Sequence, residues 1–320
     1  MGIRIGIGGL KIGQGSTGVN WSSYWATLIS ATVENAAPTH VVLTFPTAKT
    51  ELGASDFAIA GFTVSSASWT GAVLTLVLSY AVTAYSGNLT ITFVTTGETG
   101  TVTNNVAMAN SVTWVAHGDG SATYVTKDGS DFVSEWKDLS GASHPFLQAT
   151  GTNQPKWEGD GVLFDGVDNF MRLIFAVNQP SRIYMVLKQV TWTINESIID
   201  GHIAPKRNLI GQNTATPGIF IFAGTVTAVN NNLAVGSFGI VRALFSGANS
   251  TLQVNNTAKQ TVDAGTLGVD GYVIGSYSTG AALWSNIKVK ELIIRSAADD
   301  AATETAIYNY LANKHGFATI

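Results

Sequence analysis

The regular recurrence of short segments rich in β-branched and aromatic residues most constrains how this chain can fold. Between residues 28 and 107 such segments return about every 10 residues, separated by turn-forming residues. Two of them alternate apolar residues with others, in the trios Val41, Leu43, Phe45 and Leu89, Ile91, Phe93. A period of two places each trio on one buried strand face. We therefore predict a β-sandwich here.

The pattern continues to residue 295 and ends in one helical segment. Strong strand candidates in this part are RIYMVLKQV, GIFIFAG, FGIVRALFSG and NIKVKELIIRSA. The helical segment AADDAATETAIYNYLANKHGF has acids near its start and a cationic, Gly-capped end. The sequence predicts an all-β chain of two domains with one C-terminal helix, which we expect to pack across a sheet edge.

Composition excludes several classes of function. Charged residues make up 12% of the chain, against about 25% in average proteins. The net charge is −4, with no cluster of Lys and Arg for nucleic acid. The absence of cysteine excludes disulfides and zinc–cysteine sites. Residues 72–82 are too short an apolar run for a membrane span and predict a buried strand, so we expect neither nucleic acid nor membrane as a partner.

Residues 1–18 are rich in Gly with isolated Ile residues. Gly raises chain entropy, so this segment is not expected to fold alone. One interpretation is a tether that orders against a partner, and the other is a flexible tail. The segment lacks the continuous apolar core of a signal peptide, so we expect release from the cell without a leader, as by lysis.

The first domain resembles bacterial Ig-like domains of surface and phage proteins. The resemblance rests on the runs ATVENAAPTHVVLTF, SDFAIAGFTV and LTLVLSYAV. It implies a spacer or docking module. With the tether at 1–18, it gives an Ig-like β-sandwich at 19–110 and a second domain at 111–320.

The second domain resembles the concanavalin A-like/laminin-G-type jelly-roll superfamily. Three segments carry the resemblance, at residues 133–157, 161–171 and 271–317. It implies two facing sheets. Trp136 and Phe164, large apolar residues flanked by turns, are the expected anchors of its core.

A catalytic role is not expected from the residues present. Laminarinase-type hydrolases of this superfamily carry a Glu-x-Asp-x-x-Glu pattern, which supplies two carboxylates that flank the bond. This chain lacks the pattern, and its nearest pair, Glu135 and Asp138, is expected at a strand end and turn. No histidine has metal-ligand spacing or a nucleophile motif, and we expect surface or loop positions for His40, His117, His144, His202 and His315. We therefore expect no enzymatic activity.

Two candidate binding sites follow from residue types. Asp165, Asp168 and Asn169 offer closely spaced oxygen ligands for calcium, the only cofactor considered, and the alternative is a tight turn. Aromatic side chains can stack on sugar rings. The candidates for glycan binding are Trp157, Trp192, Tyr277 and Trp284, and the alternative for each is core or rim packing.

Together these features favour a bacteriophage virion structural protein with a lectin-like domain: a fibre, a capsid decoration protein or a tail-associated adhesin. We expect residues 1–18 to dock on other virion proteins, the second domain to bind a host surface glycan or protein, and the chain to form a homo-oligomer, with a trimer favoured. The alternative is a secreted or cell-surface bacterial glycan-binding module.

Overall fold

A computed structural model describes most of the chain. The described residues are 27–34, 37–79, 81–82, 88–106, 113–117, 124–140, 143–212, 215–225 and 231–320, and residues 113–117 are described by their backbone. The predicted tether at 1–18 lies outside them. The chain divides into two compact units, unit 1 at residues 1–79 and 88–104 and unit 2 at 80–87 and 105–320. The sequence-based boundary at residues 110 and 111 falls six residues after this division.

The described part of unit 1 consists of seven strands, and the pairs β1–β2, β2–β5, β4–β5, β3–β6 and β6–β7 are antiparallel. The strands run in the order β3-β6-β7-β1-β2-β5-β4. Their bounds are β1 (Ser30–Glu34), β2 (His40–Thr44), β3 (Phe57–Ile59), β4 (Val64–Thr70), β5 (Val73–Leu78), β6 (Leu89–Phe93) and β7 (Thr99–Asn105). Both apolar trios are buried, which confirms the predicted alternation. The apolar run at 72–82 contains β5, whose leucines are buried, as predicted.

Unit 2 carries the remaining strands and the helix α1 (Ala301–His315). The strands are β8 (Thr113–His117), β9 (Val125–Lys127), β10 (Val133–Trp136), β11 (Phe146–Leu147), β12 (Lys156–Glu158), β13 (Gly161–Asp165), β14 (Met171–Leu173), β15 (Ser181–Gln189), β16 (Ser197–Gly201), β17 (Leu209–Gln212), β18 (Gly218–Phe222), β19 (Asn231–Asn232), β20 (Phe238–Phe245), β21 (Ser250–Val254), β22 (Gln260–Val262), β23 (Tyr272–Ile274) and β24 (Asn286–Arg295). The predicted class, a mostly β chain with one C-terminal helix, is confirmed for the described residues.

The strands of unit 2 form two antiparallel sheets. The nine-stranded sheet has the order β19-β18-β17-β16-β23-β14-β11-β10-β9, and the eight-stranded sheet has the order β12-β13-β24-β15-β20-β21-β22. The eighth strand, β8, also pairs with β24. Strand β24 therefore lies inside its sheet, with β15 along one edge and β13 and β8 sharing the other.

Apolar residues from both sheets form one core in unit 2. Trp136 and Phe164 are fully buried in it, which confirms their predicted role as anchors. The predicted turn after Phe164 is also present. The Asp165 side chain accepts a hydrogen bond from the Val167 amide at 2.9 Å, and Gly166 has φ +76°. A positive φ of this kind favours glycine, which explains the residue type at this turn.

Helix α1 begins and ends as the sequence predicts. The Asp300 side chain caps its first turn by accepting a hydrogen bond from the Thr303 amide at 2.7 Å. Gly316 ends the helix in the left-handed conformation. The expected packing across a sheet edge is wrong, because the helix contacts β15 and β20 in the interior of the eight-stranded sheet. In this position the helix covers side chains on the outer face of that sheet.

The face beneath α1 is polar and buried. Glu304, in the first turn of the helix, pairs with Arg182 at 2.6 Å, Arg242 at 3.3 Å and Lys259 at 2.7 Å. Near the other end, Glu291 on β24 is fully buried and accepts a hydrogen bond from Tyr310 at 2.7 Å. These contacts compensate the charges that helix and sheet remove from water.

None of the helices in the described part of the chain has the length and apolar character needed to cross a membrane.

Candidate functional site

The outer face of the nine-stranded sheet carries one cross-strand row of side chains. Glu135, Leu147, Arg172, Val273 and Asp200 are successive register partners across β10, β11, β14, β23 and β16. Their sequence neighbours point into the core, so period-two alternation directs the row away from it. This row is the frame on which the candidate site is built.

An open groove of about 470 Å³ lies over the β11–β14 part of this row. Segment 143–150 forms one wall, and Phe170, Arg172 and Ile174 form the other. Ile174 is 68% exposed and Leu147 is 51% exposed, although both are large apolar residues. The groove therefore combines exposed apolar surface with one cationic side chain. Its volume falls in the range of about 300–1,000 Å³ that is usual for small-ligand sites.

Arg172 is held in place by the loop of residues 275–285, which connects β23 and β24. Its Nη2 donates a hydrogen bond to the Thr279 carbonyl, and its guanidinium lies 5.0 Å from the ring centroid of Phe170. Gly280 lets the loop approach that ring: a Cβ there would lie 2.3 Å from Phe170, and its φ is +78°. The contacts of the loop fix the orientation of the guanidinium.

Beside the groove, Asp200 and Arg207 form a buried ion pair. Nη2 of Arg207 lies 2.8 Å from Oδ2 of Asp200, which is fully buried. Burial raises the pKa of Asp200, and the hydrogen bonds from Arg207 only partly oppose this. The Arg207 guanidinium also lies over the rings of Phe222 and Tyr277, at 5.0 and 4.8 Å. Both residues of this ion pair are therefore already in contact with other groups of the protein.

His202 lies near Arg172 and is half-buried. Its Nδ1 atom has no hydrogen-bond partner among the described residues. Burial lowers the pKa of His202, the positive charge of Arg172 lowers it further, and Asp270 opposes both. Asp270 is itself paired with Lys206 at 2.7 Å. His202 lies in the loop between β16 and β17, as expected, and its half-buried setting favours the neutral imidazole.

The four aromatic glycan candidates belong to different parts of unit 2. Trp157 lies on β12 of the eight-stranded sheet, with the Lys127 ammonium 4.8 Å from its ring centroid. Trp192 follows β15 and donates a hydrogen bond to the Gly218 carbonyl at 3.2 Å. Tyr277 and Trp284 lie in the β23–β24 loop, and Tyr277 is beneath Arg207. The structure does not bring the four side chains together as one sugar-stacking surface, and none of them lines the groove.

At the calcium candidates, one side-chain oxygen of each residue accepts a hydrogen bond within the turn. The Asn169 Oδ1 atom accepts a hydrogen bond from the Asp165 amide at 3.2 Å, and Asn169 Nδ2 donates to Asp168 at 3.4 Å. Asp165 Oδ1 caps the turn as described above. Within the described ranges, no three His, Cys, Asp or Glu residues gather as metal ligands. The geometry is that of the tight turn weighed as the alternative.

The carboxylates considered for hydrolysis have other roles here. Glu135 accepts a hydrogen bond from Thr126 at 2.7 Å, and Asp138 accepts from the amides of Ser140 and His144. Within the cross-strand row, Glu135 and Asp200 are four strands apart, which corresponds to about 19 Å. Glycosidase carboxyl pairs lie about 5–10 Å apart. Glu135 and Asp200 therefore do not form such a pair.

The groove was not predicted from the sequence. The sequence does not distinguish Leu147, Arg172 and Ile174 from other residues in or next to strands. They come together only because β11 pairs with β14. One signal was available: in the run NFMRLIF, Arg172 and Ile174 alternate with Met171 and Leu173, which are both buried. That alternation indicates an outward face that carries a cation beside an apolar residue.

Comparisons with known proteins give little at the level of sequence. No protein-family model matches the chain, and no curated protein matches it. Among solved structures, a Trypanosoma rangeli sialidase in complex with sialic acid is 13% identical, with a TM-score of 0.46. That match covers 68% of this chain and 35% of the sialidase. An arabinofuranosidase complexed with arabinofuranosyl-α-1,2-xylobiose is 14% identical, with a TM-score of 0.46, and covers 65% of this chain and 60% of the other.

These similarities correct the expectation that the chain is not an enzyme. The solved proteins that it resembles are named as enzymes, a sialidase and an arabinofuranosidase, so that expectation is not retained. TM-scores below 0.5 at such identities carry no argument about a reaction or its residues. The function of this chain must therefore be inferred from its own geometry.

Proposed function

We propose that this chain is a two-part binding protein in which unit 1 is an Ig-like spacer and unit 2 is a jelly roll that binds glycan in the groove between segment 143–150 and β14. For unit 1, the support is strand order. Lettered A to G along the chain, the strands β1–β7 run C-F-G-A-B-E-D. Constant-type Ig domains contain the sets C-F-G and A-B-E-D.

For unit 2, the jelly-roll proposal is supported by its two large antiparallel sheets around one core. Neighbours in the sheets come from distant parts of the chain, as where β23 pairs with both β14 and β16. Long connections between facing sheets are the mark of jelly rolls. The apolar anchors Trp136 and Phe164 fill the space between the sheets.

One observation carries the glycan proposal: the groove has exposed Leu147 and Ile174 next to a positioned guanidinium. Sugar rings present apolar C–H faces and polar edges, so they match a surface of this mixed kind. Beneath the groove, β11 and β14 each pair on both edges, which leaves their backbone groups engaged. Recognition there must therefore use side chains and the groove walls.

Binding to a glycan array tests the proposal, with Ile174→Asp as the disrupting variant. Charging the exposed wall of the groove should abolish glycan binding while the unfolding temperature stays unchanged. Val235→Asp is the matched control, since Val235 is 41% exposed and outside the groove. Binding that survives Ile174→Asp and is lost in Val235→Asp would refute the groove as the site. Reducing-sugar release from the same samples, with Glu135→Gln and Asp138→Asn variants, measures hydrolysis.

We further propose that the protein is part of a bacteriophage particle, as a homo-oligomer docked through residues 1–18. The low charged fraction and the Gly-rich start support this. Antibody labelling of purified particles in the electron microscope should locate the chain, and sedimentation equilibrium of the full chain should give a trimer. Failure to find it in particles, together with a cleaved leader in the gene, would favour the secreted glycan-binding module instead.

A further inference from the structure

Arg172 is a cation without a counterion in the part of the chain that the structure describes. It forms no ion pair with any residue in the described part of the chain, and its Nε is buried without a hydrogen-bond partner there. Among the described residues, its one polar partner is the neutral carbonyl of Thr279. Keeping a half-buried guanidinium without a carboxylate costs folding free energy, so an anion supplied by a ligand would find this charge uncompensated.

The acids near Arg172 are already neutralised by other cations. Asp200 is paired with Arg207, and Asp270 is paired with Lys206. Burial and the charge of Arg172 lower the pKa of His202, which disfavours a second cation beside Arg172. The groove therefore presents a local positive potential on a chain whose net charge is −4.

The guanidinium is also preorganised. The Phe170 ring supports one side of it, and the Thr279 carbonyl fixes Nη2. A planar guanidinium held in one orientation matches a carboxylate better than a flexible ammonium does, because it donates two parallel hydrogen bonds. Less side-chain entropy is lost when such a group binds.

The position of Arg172 favours a sugar over a peptide as the carrier of the carboxylate. The groove lies on the face of the nine-stranded sheet, and the strands beneath it have no free edge to which a peptide strand could add. Leu147 is the direct register partner of Arg172, so an apolar surface adjoins the cation within one strand spacing. A ring that has a C–H face and a carboxylate on its edge fits both.

We infer that the groove binds a carboxylate-bearing sugar residue of an acidic polysaccharide, with Arg172 as the residue that binds its carboxylate. This inference rests on the proposed glycan-binding function and adds the chemical class of the ligand. In the complex, Arg172 donates to the carboxylate oxygens, and Leu147 and Ile174 contact the ring.

The test measures binding of the full chain to hexuronate oligosaccharides and to the same oligosaccharides after their carboxyl groups are reduced to alcohols. The set contains galacturonate, glucuronate, mannuronate and guluronate trimers. At least one acid form should bind, and reduction should weaken it about tenfold or more. Arg172→Gln should cause the same loss, and Arg172→Lys a smaller one. Lys156→Gln, which removes a cation that lies 6.0 Å from the Phe132 ring, should leave affinity unchanged.

The outcomes separate this inference from the proposed function. If the acid and reduced forms bind equally well and Ile174→Asp abolishes both, the inference is overturned. The proposed glycan binding then still stands. Equal binding of polyglutamate would also overturn the inference, because charge alone would then suffice. No binding to any acidic or neutral glycan would overturn both. Unfolding temperatures identify a variant that fails to fold, and Arg172→Lys then supplies the comparison.

Discussion

Glu304 of helix α1 faces three cations across a buried interface. Arg182 and Arg242 come from β15 and β20, and both are 4% exposed, as is typical of charges that a partner compensates. Burial alone would raise the pKa of Glu304, but the hydrogen bonds from Lys259 and Arg182 outweigh it and keep that pKa below its ordinary value. The compensation of both buried guanidinium groups therefore depends on one carboxylate.

We expect Glu304→Gln to lower the free energy of unfolding by about 3–5 kcal/mol, because it leaves two buried guanidinium groups without a counterion. Urea denaturation measures the change. The control is Asp270→Asn, which breaks the exposed pair with Lys206 and should cost less than about 1 kcal/mol. Equal losses in the two variants would contradict the buried-network argument.

The environment of His202 predicts a loss of stability in acid. Its folded-state pKa lies below 6.5, so between that pKa and 6.5 the unfolded chain binds more protons than the folded one. The free energy of unfolding should therefore fall as the pH is lowered through 6.5. His202→Gln should make the unfolding midpoint less dependent on pH between 7.5 and 5.5. Identical slopes in His202→Gln and the parent chain would disprove the assignment.

Among elements, those with a clear period were predictable. The trios on β2 and β6 and the helix α1 follow from alternation, caps and charge placement, which are local properties. The position of α1 was not predictable. On β24, Glu291 reads as an exposed strand residue, but α1 covers it, and no local signal reveals which face a distant helix will occupy.

The end of α1 offers a test of this local chemistry. Gly316 has φ +78°, and a Cβ there would meet nothing within 4 Å. Gly316→Ala should therefore cost about 1 kcal/mol through backbone strain alone, measured by thermal unfolding. Gly316→Asn should cost less, since Asn tolerates this conformation better. A neutral Gly316→Ala variant would show that the helix end rearranges freely.

At the scale of the whole molecule, the candidate groove forms from segments that are far apart in the sequence. Leu147 and Arg172 meet through strand pairing, and Thr279 reaches Arg172 from more than a hundred residues away. Aromatic and acidic residues were the types considered for binding and catalysis, whereas the side chains on which the proposal rests are Leu147, Ile174 and Arg172. A pattern of residue types within one segment cannot show such a combination.

Residues 105–320, the larger part of unit 2, should fold as a separate fragment, because the core cluster draws only on strands of this part. Circular dichroism and urea denaturation measure this. A fragment of residues 118–320 lacks β8, which pairs with residues 291–295 of β24. It should lose about 2–5 kcal/mol of stability through these missing strand contacts. Equal stability of the two fragments would show that β8 contributes nothing.

Because β24 lies inside its sheet, the eight-stranded sheet cannot be completed until β24 has been synthesised. Its neighbours β8 and β13 leave the ribosome more than a hundred residues before it does, and β15 follows them. Until residue 295 emerges, these three strands lack their shared partner, and their open edges stay available to other nascent chains. The sheet can therefore close only after residue 295 has emerged, and until then these edges are exposed to pairing with other chains.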